Sequence, residues 1–139
     1  MPDWFYPELL DELNTLGAYG VFSLFSDFEK KLHSKVTRLN SGNLIKEFQD
    51  NMRSMFGSDI LKEDPHAPYK LRIYSAHDTT IEGLLVGLDI YNFRRAPYAS
   101  SVFFEVYDDK TIKAFYRNDT KTEPYELVIC KEIPCTKSW

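Results

Sequence analysis

The sequence predicts an α/β chain in which helices pack on a mixed sheet, and three observations predict it. Apolar residues recur at helical spacing through the first half, the period shortens near Lys70, and a hairpin pattern follows Pro97. At 139 residues the chain has room for one ordinary domain and not for two comfortable ones. Composition is globular, 43% hydrophobic and 27% charged, and an aromatic share of 15% points to a core or groove rich in Tyr and Phe.

Residues 1–56 read as mainly helical. Leu9, Leu10, Leu13 and Leu16 follow Pro7, a residue tolerated in a first turn. Gly17 and Gly20 interrupt that pattern, and a second apolar stretch runs through Val21, Phe22, Leu24, Phe25 and Phe28. Asn40-Ser41-Gly42 is a turn signal, after which Leu44, Ile45, Phe48, Met52, Met55 and Phe56 line one helix face. Core packing explains all these apolar stripes. Gly57 to Pro68 reads as a surface loop. Residues 70–90 form a strand–helix unit: Lys70 to Ser75 alternates as a short strand, and Ile81, Leu84, Leu85 and Leu88 recur at helix spacing. Thr79-x-x-Glu82 has the capping-box pattern, so Ala76-His77-Asp78 falls where the strand gives way to the helix. Residues 99–129 hold a hairpin (Val102 to Tyr107, a turn at Asp108-Asp109-Lys110, Thr111 to Arg117) and a last strand from Tyr125 to Ile129.

Several functions are disfavoured by bulk properties. A net charge of -4 without a Lys/Arg stripe argues against nucleic acid as a partner. No apolar run approaches the ~20 residues that cross a bilayer. The start, Met1-Pro2-Asp3-Trp4, lacks the features of a signal peptide, so either the protein is cytoplasmic or the gene product begins further upstream. Cys130 and Cys135 are the two cysteines. A disulfide between them would contribute roughly 2 kcal/mol by loop-closure entropy, and two free thiols in a reducing compartment fit the count equally well. Asn118-Asp119-Thr120 is a glycosylation sequon, meaningful only in a secreted protein.

The turn between a strand and a helix is where α/β proteins place ligands. Free N–H groups and the macrodipole at the helix N-terminus favour an anion such as phosphate. An imidazolium at His77 donates to a phosphate oxygen, and a protonated Asp78 can hand its proton to a departing alkoxide. The structural alternative is plain: Asp is a favoured helix cap, and a lone His is commonly a hydrogen-bonded structural residue. No metal site is expected, since His33 and His66 show no ligand spacing with His77 and the cysteines lie far along the chain. Metal-dependent hydrolases built on a His-Asp pair carry it within helices, whereas here a strand precedes it.

Tyr74-Ser75-Ala76-His77-Asp78-Thr79-Thr80, with Gly83-Leu84 and Leu88-Asp89-Ile90-Tyr91-Asn92, resembles the second signature of the histidine acid phosphatases. The likeness continues through Pro97-Tyr98-Ala99-Ser100, Tyr116-Arg117-Asn118-Asp119-Thr120 and Glu123-Pro124-Tyr125, and ends with a cysteine pair like Cys130 and Cys135. Pro2-Asp3-Trp4 and Arg38-Leu39 before Gly42 fit as well, so the resemblance covers essentially the whole chain. It implies the C-terminal portion of a single phosphoglycerate-mutase-like domain, residues 1–139, with the N-terminal half of the sheet missing and the Lys70 to Ser75 strand left with an unpaired edge. It implies metal-free and cofactor-free hydrolysis of phosphate monoesters at acidic pH, through a phosphorylated histidine from an Arg-His-Gly-x-Arg motif. His77 would contact the phosphoryl group and Asp78 would protonate the leaving oxygen. It further implies a Cys130–Cys135 disulfide, a glycan on Asn118 and a secreted or lysosomal location, and leaves a homodimer open for the full-length protein.

Two departures qualify that expectation. No Arg-His-Gly occurs: His33 precedes Ser34 and His66 precedes Ala67. General-acid assistance is worth about 10²–10⁴-fold, far short of an enzyme's usual total, so the chain alone is expected to be nearly inactive. Ser101 stands where close relatives carry a cysteine paired to one upstream, which removes one expected crosslink. The rival readings are a non-catalytic, shortened paralogue that binds phosphate or a protein partner and, third, a metal-dependent phosphohydrolase.

Overall fold

In the computed structural model, which describes residues 5–26, 35–57 and 70–129, the first helix α1 spans Pro7–Phe25. Pro7 and Glu8 suit its first turn, where no N–H partner is needed and negative charge is favoured. The expected break at Gly17 and Gly20 does not occur, and the helix runs through both. Each helical glycine costs about 1 kcal/mol relative to alanine, but Ala18 and Val21 bury on the same stretch and tertiary contact outweighs that propensity.

Helix α2, Lys35–Met55, likewise absorbs the Asn40-Ser41-Gly42 turn signal. The reason lies in what those polar side chains bond. Thr37 Oγ1 donates to Phe25 O at 2.6 Å and Asn40 Nδ2 to Leu24 O at 3.2 Å, satisfying carbonyls left open at the end of α1. Ser41 Oγ donates to Gly83 O at 2.7 Å in a buried contact. Residues that favour turns when isolated serve here as interhelical ties. Gly57, with φ of 84°, takes the left-handed conformation just past the helix.

The third helix, α3 (Asp78–Gly87), packs against both others. Every residue from Glu82 to Leu88 is buried, so this helix is enclosed on all sides from its second turn onward. Two glycines permit the approach: a Cβ on Gly83 would come within 2.7 Å of the Phe25 ring, and one on Gly87 within 3.1 Å of Ser41 Cβ. The capping box expected at Thr79 and Glu82 is absent. The helix starts earlier, with His77 as its N-cap, His77 N–H facing Thr80 Oγ1 at 3.4 Å, and Glu82 turned into the core.

The sheet is antiparallel in the order β1-β2-β3, with β1 at Ser101–Val106, β2 at Ile112–Arg117 and β3 at Tyr125–Leu127. Ser101 faces Arg117 and Val106 faces Ile112, and Lys110 at φ 68° closes the predicted turn. The last strand is shorter than expected and stops at Leu127. Leu85, Val86, Tyr91 and Tyr116 join Ala18 in one core cluster, while Ile45, Leu84 and Leu88 form a second. Val102 and Ile90 pack against both, so α3 is sandwiched between the helix pair and the sheet.

The α/β class is as the sequence predicts, yet the described strands are all antiparallel rather than mixed. Lys70 to Ser75 forms no strand and pairs with none among the described residues. Its alternation survives in another form. Arg72 and Tyr74 turn toward α2, where Arg72 Nη1 donates to Asn51 Oδ1 at 2.6 Å and Tyr74 Oη donates to Glu47 at 2.9 Å. Leu71 and Ile73 face outward, 76% and 81% exposed. Among the described residues no helix is long and apolar enough to cross a membrane.

Candidate active site

The first turn of α3 carries the two residues that the sequence singles out. His77 and Asp78 are both exposed, while the helix body behind them is sealed in the core. Burial of the body fixes the helix axis, and with it the direction of the free N–H groups at its start. Asp78 Oδ1 accepts the Thr79 N–H at 2.7 Å. Its other oxygen, Oδ2, accepts from Arg95 Nη2 at 2.8 Å.

Arg95 was not legible as a site residue in the sequence. It lies in the segment after α3, which folds back across the helix start, and its methylene stem passes over Gly17 of α1. The same guanidinium reaches a second carboxylate, with Nη1 at 3.4 Å from Glu82 Oε2. Glu82 is one helical turn after Asp78 and completely buried. Its Oε1 accepts the Ala96 N–H at 2.6 Å, which ties the returning segment to α3. Glu82 Oε2 and Tyr91 Oη are buried without hydrogen-bond partners among the described residues. Burial pushes the Glu82 carboxyl above the ordinary carboxylate range, against the Ala96 N–H and the Arg95 charge, and the nearby Asp78 charge adds to the rise. Burial, with the Glu82 charge second, pushes the Tyr91 phenol up to about 12.

The segment that delivers Arg95 is itself held. Phe93 takes a φ of 55°, uncommon for an aromatic residue, and its ring packs on Tyr19, Phe22 and Tyr91 at centroid distances of 5.2, 4.9 and 5.4 Å. Asn92 Oδ1 accepts the Arg94 N–H at 3.1 Å. On the other flank of the α3 start lies a cleft of about 210 Å³, lined by Thr79, Thr80 and Gly83 together with Phe25, Asn40, Ser41 and Leu44.

Other sequence-predicted residues lie apart from this cluster. Asn118 is half-buried just after β2, and Ser101 opens β1 opposite Arg117. Cys130, Cys135, His33 and His66 fall outside the described residues. Among the described residues no group of three or more His, Cys, Asp or Glu side chains is placed to hold a metal ion.

The profile of the histidine phosphatase superfamily (branch 2) matches residues 3–125. The prostatic acid phosphatase of Rattus norvegicus is 36% identical over 132 residues, a stretch that covers 93% of this chain and 32% of the relative. The Homo sapiens prostatic acid phosphatase is 34% identical over 132 residues, with the same coverage of 93% and 32%. The Homo sapiens lysosomal acid phosphatase is 30% identical over 131 residues, covering 91% of this chain and 29% of the relative. The chain thus spans about a third of the length of the curated relatives it matches.

Proposed function

Because the chain belongs to the histidine phosphatase superfamily (branch 2), we propose that it supplies the proton-donor side of an acid phosphatase active site. The observation that carries this reading is the placement of His77 and Asp78, exposed at the positive end of a helix that is buried from Glu82 onward. That end favours a phosphoryl group, whose oxygens accept hydrogen bonds from the helix start and from a protonated His77.

The reaction is a two-step hydrolysis of a phosphate monoester. A histidine attacks phosphorus, the bond from phosphorus to the leaving oxygen breaks, and Asp78 in its acid form gives that oxygen a proton. The Asp78 carboxylate then takes a proton from water as the water oxygen attacks phosphorus. The phosphorus–nitrogen bond breaks, and inorganic phosphate leaves. The attacking histidine belongs to an Arg-His-Gly-x-Arg motif that these 139 residues do not contain, so in this reading it comes from outside them. The chain by itself then retains phosphate affinity and loses nearly all turnover. A secreted or lysosomal setting, a glycan on Asn118 and a Cys130–Cys135 disulfide belong to the same reading.

Hydrolysis of p-nitrophenyl phosphate by the full-length protein, with the 139-residue chain measured beside it, tests the division of labour. Asp78→Ala in the full-length protein should slow an alkyl phosphate about 10²–10⁴-fold while slowing p-nitrophenyl phosphate far less, because nitrophenolate departs without a proton. An unchanged rate on the alkyl ester would remove Asp78 from the role of donor.

A further inference from the structure

We infer that Arg95 is the positioning residue of the proton donor, held in place by the buried carboxylate of Glu82. The inference rests on the reading of Asp78 as donor and adds the residues that aim it. Asp78 sits at the first position of α3 with its side chain 46% exposed, where a free carboxyl would rotate among its rotamers. Two bonds oppose that rotation: the Thr79 N–H on Oδ1, supplied by the helix, and the Arg95 guanidinium on Oδ2, supplied by the returning segment.

A guanidinium can orient a carboxylate only if it is itself oriented. Arg95 meets this condition through Glu82, which cannot move because its side chain is 0% exposed and its Oε1 is bonded to Ala96 N–H. The planar fork of Arg95 therefore spans a core-locked carboxylate on one side and the exposed donor on the other. The same arrangement argues against Arg95 as a phosphate ligand. Both terminal nitrogens of the guanidinium are already engaged, Nη2 with Asp78 at 2.8 Å and Nη1 with Glu82 at 3.4 Å, so the cation is committed to these two carboxyl groups. A donor must lie within hydrogen-bond reach of the leaving oxygen, and misplacement by about 1 Å can cost 10²-fold. The clamp supplies that placement.

The test uses the full-length protein, with Arg95→Met, Arg95→Lys and Asp78→Ala compared on an alkyl phosphate and on p-nitrophenyl phosphate. Arg95→Met should lower kcat for the alkyl ester about 10- to 100-fold, leave kcat for p-nitrophenyl phosphate within about threefold, and leave both KM values in place. Arg95→Lys should recover part of the loss, since an ammonium bonds Asp78 without the fixed fork. A parallel rise in both KM values and in the inhibition constant of inorganic phosphate would overturn the inference and make Arg95 a phosphate ligand. An equal fall on both esters together with a lowered Tm would overturn it in favour of a purely structural pair. If Asp78→Ala slows the alkyl ester and Arg95→Met does not, the clamp fails and the donor reading stands; if Asp78→Ala has no effect, both fail.

Should Arg95→Met not fold, Glu82→Gln carries the same test, because it keeps an oxygen for Ala96 N–H and replaces the carboxyl oxygen that meets Arg95 Nη1. An independent arm uses the 139-residue chain, where NMR couplings across the Asp78 Cα–Cβ bond should report one rotamer. Averaging in Glu82→Gln supports the clamp, and couplings identical to the unmutated chain overturn it.

Discussion

Two stretches of this chain share the same alternating pattern and reach opposite ends. Val102 to Val106 lies in β1, paired residue by residue with β2, and Val102 packs against both core clusters. Leu71 to Ser75 forms no strand: Leu71 and Ile73 stand in solvent, while Arg72 and Tyr74 meet α2 through polar contacts and the Phe48 ring. The difference teaches that alternation makes a segment able to be a strand, while neighbours decide whether it becomes one. The first stretch brings its partner along, two residues past a tight turn. The second needs a partner from farther away.

The largest effect is expected where the paired region is most enclosed. Tyr116 in β2 is 1% exposed, packs on the Tyr125 ring at 5.7 Å and joins Leu85 and Tyr91 in the core. Tyr116→Ala should cost about 3–5 kcal/mol, the range for deleting a buried aromatic side chain. That is a large part of the stability of any domain this size, about 5–15 kcal/mol. Urea unfolding followed by circular dichroism measures it. A loss under about 1 kcal/mol would mean that the hairpin and α3 do not share one cooperative core.

Local rules were legible wherever the chemistry was local. The turn at Asp108-Asp109-Lys110 was, because a left-handed residue and an Asp acceptor close it within a few positions, with Asp109 Oδ1 taking the Thr111 N–H at 2.9 Å. The start of α3 was, to within a residue or two, since its apolar spacing is strong. Gly17, Asn40 and Ser41 misled for the opposite reason: they contact Arg95, Leu24 and Gly83, which lie elsewhere in the chain. Glu82 was misread most instructively. A Glu three residues after a Thr fits a capping box, but the same Glu is also four residues after Asp78, on the same helix face. Only the fold-back of Arg95 and Ala96 distinguishes the two.

The buried carboxylate makes a middle-sized prediction that separates the sealed part of α3 from its exposed start. Because the folded state raises the Glu82 pKa above the ordinary value of 4.5, there is a pH window between the unfolded and folded values in which the folded chain keeps a proton that the unfolded chain has released. Stability is then greatest below the unfolded value and declines as pH rises through the folded one. Tm measured across that window should fall less steeply in Glu82→Gln than in the unmutated chain. Parallel curves would mean that Glu82 ionises as freely in the fold as outside it.

The smallest expected effect sharpens the opening contrast, since it puts one kind of substitution into each of the two alternating stretches. Ile73→Thr replaces a side chain that is 81% exposed, so it removes little buried surface and should change stability by no more than about 0.5 kcal/mol. Val102→Thr puts a hydroxyl against the two apolar core clusters and should cost about 1–3 kcal/mol. Both residues stay β-branched, so strand propensity is held nearly constant and burial alone differs. Equal losses at the two positions, read from the same urea midpoints, would show that Ile73 is covered in solution. The Leu71 to Ser75 segment would then have to be redrawn as a paired strand.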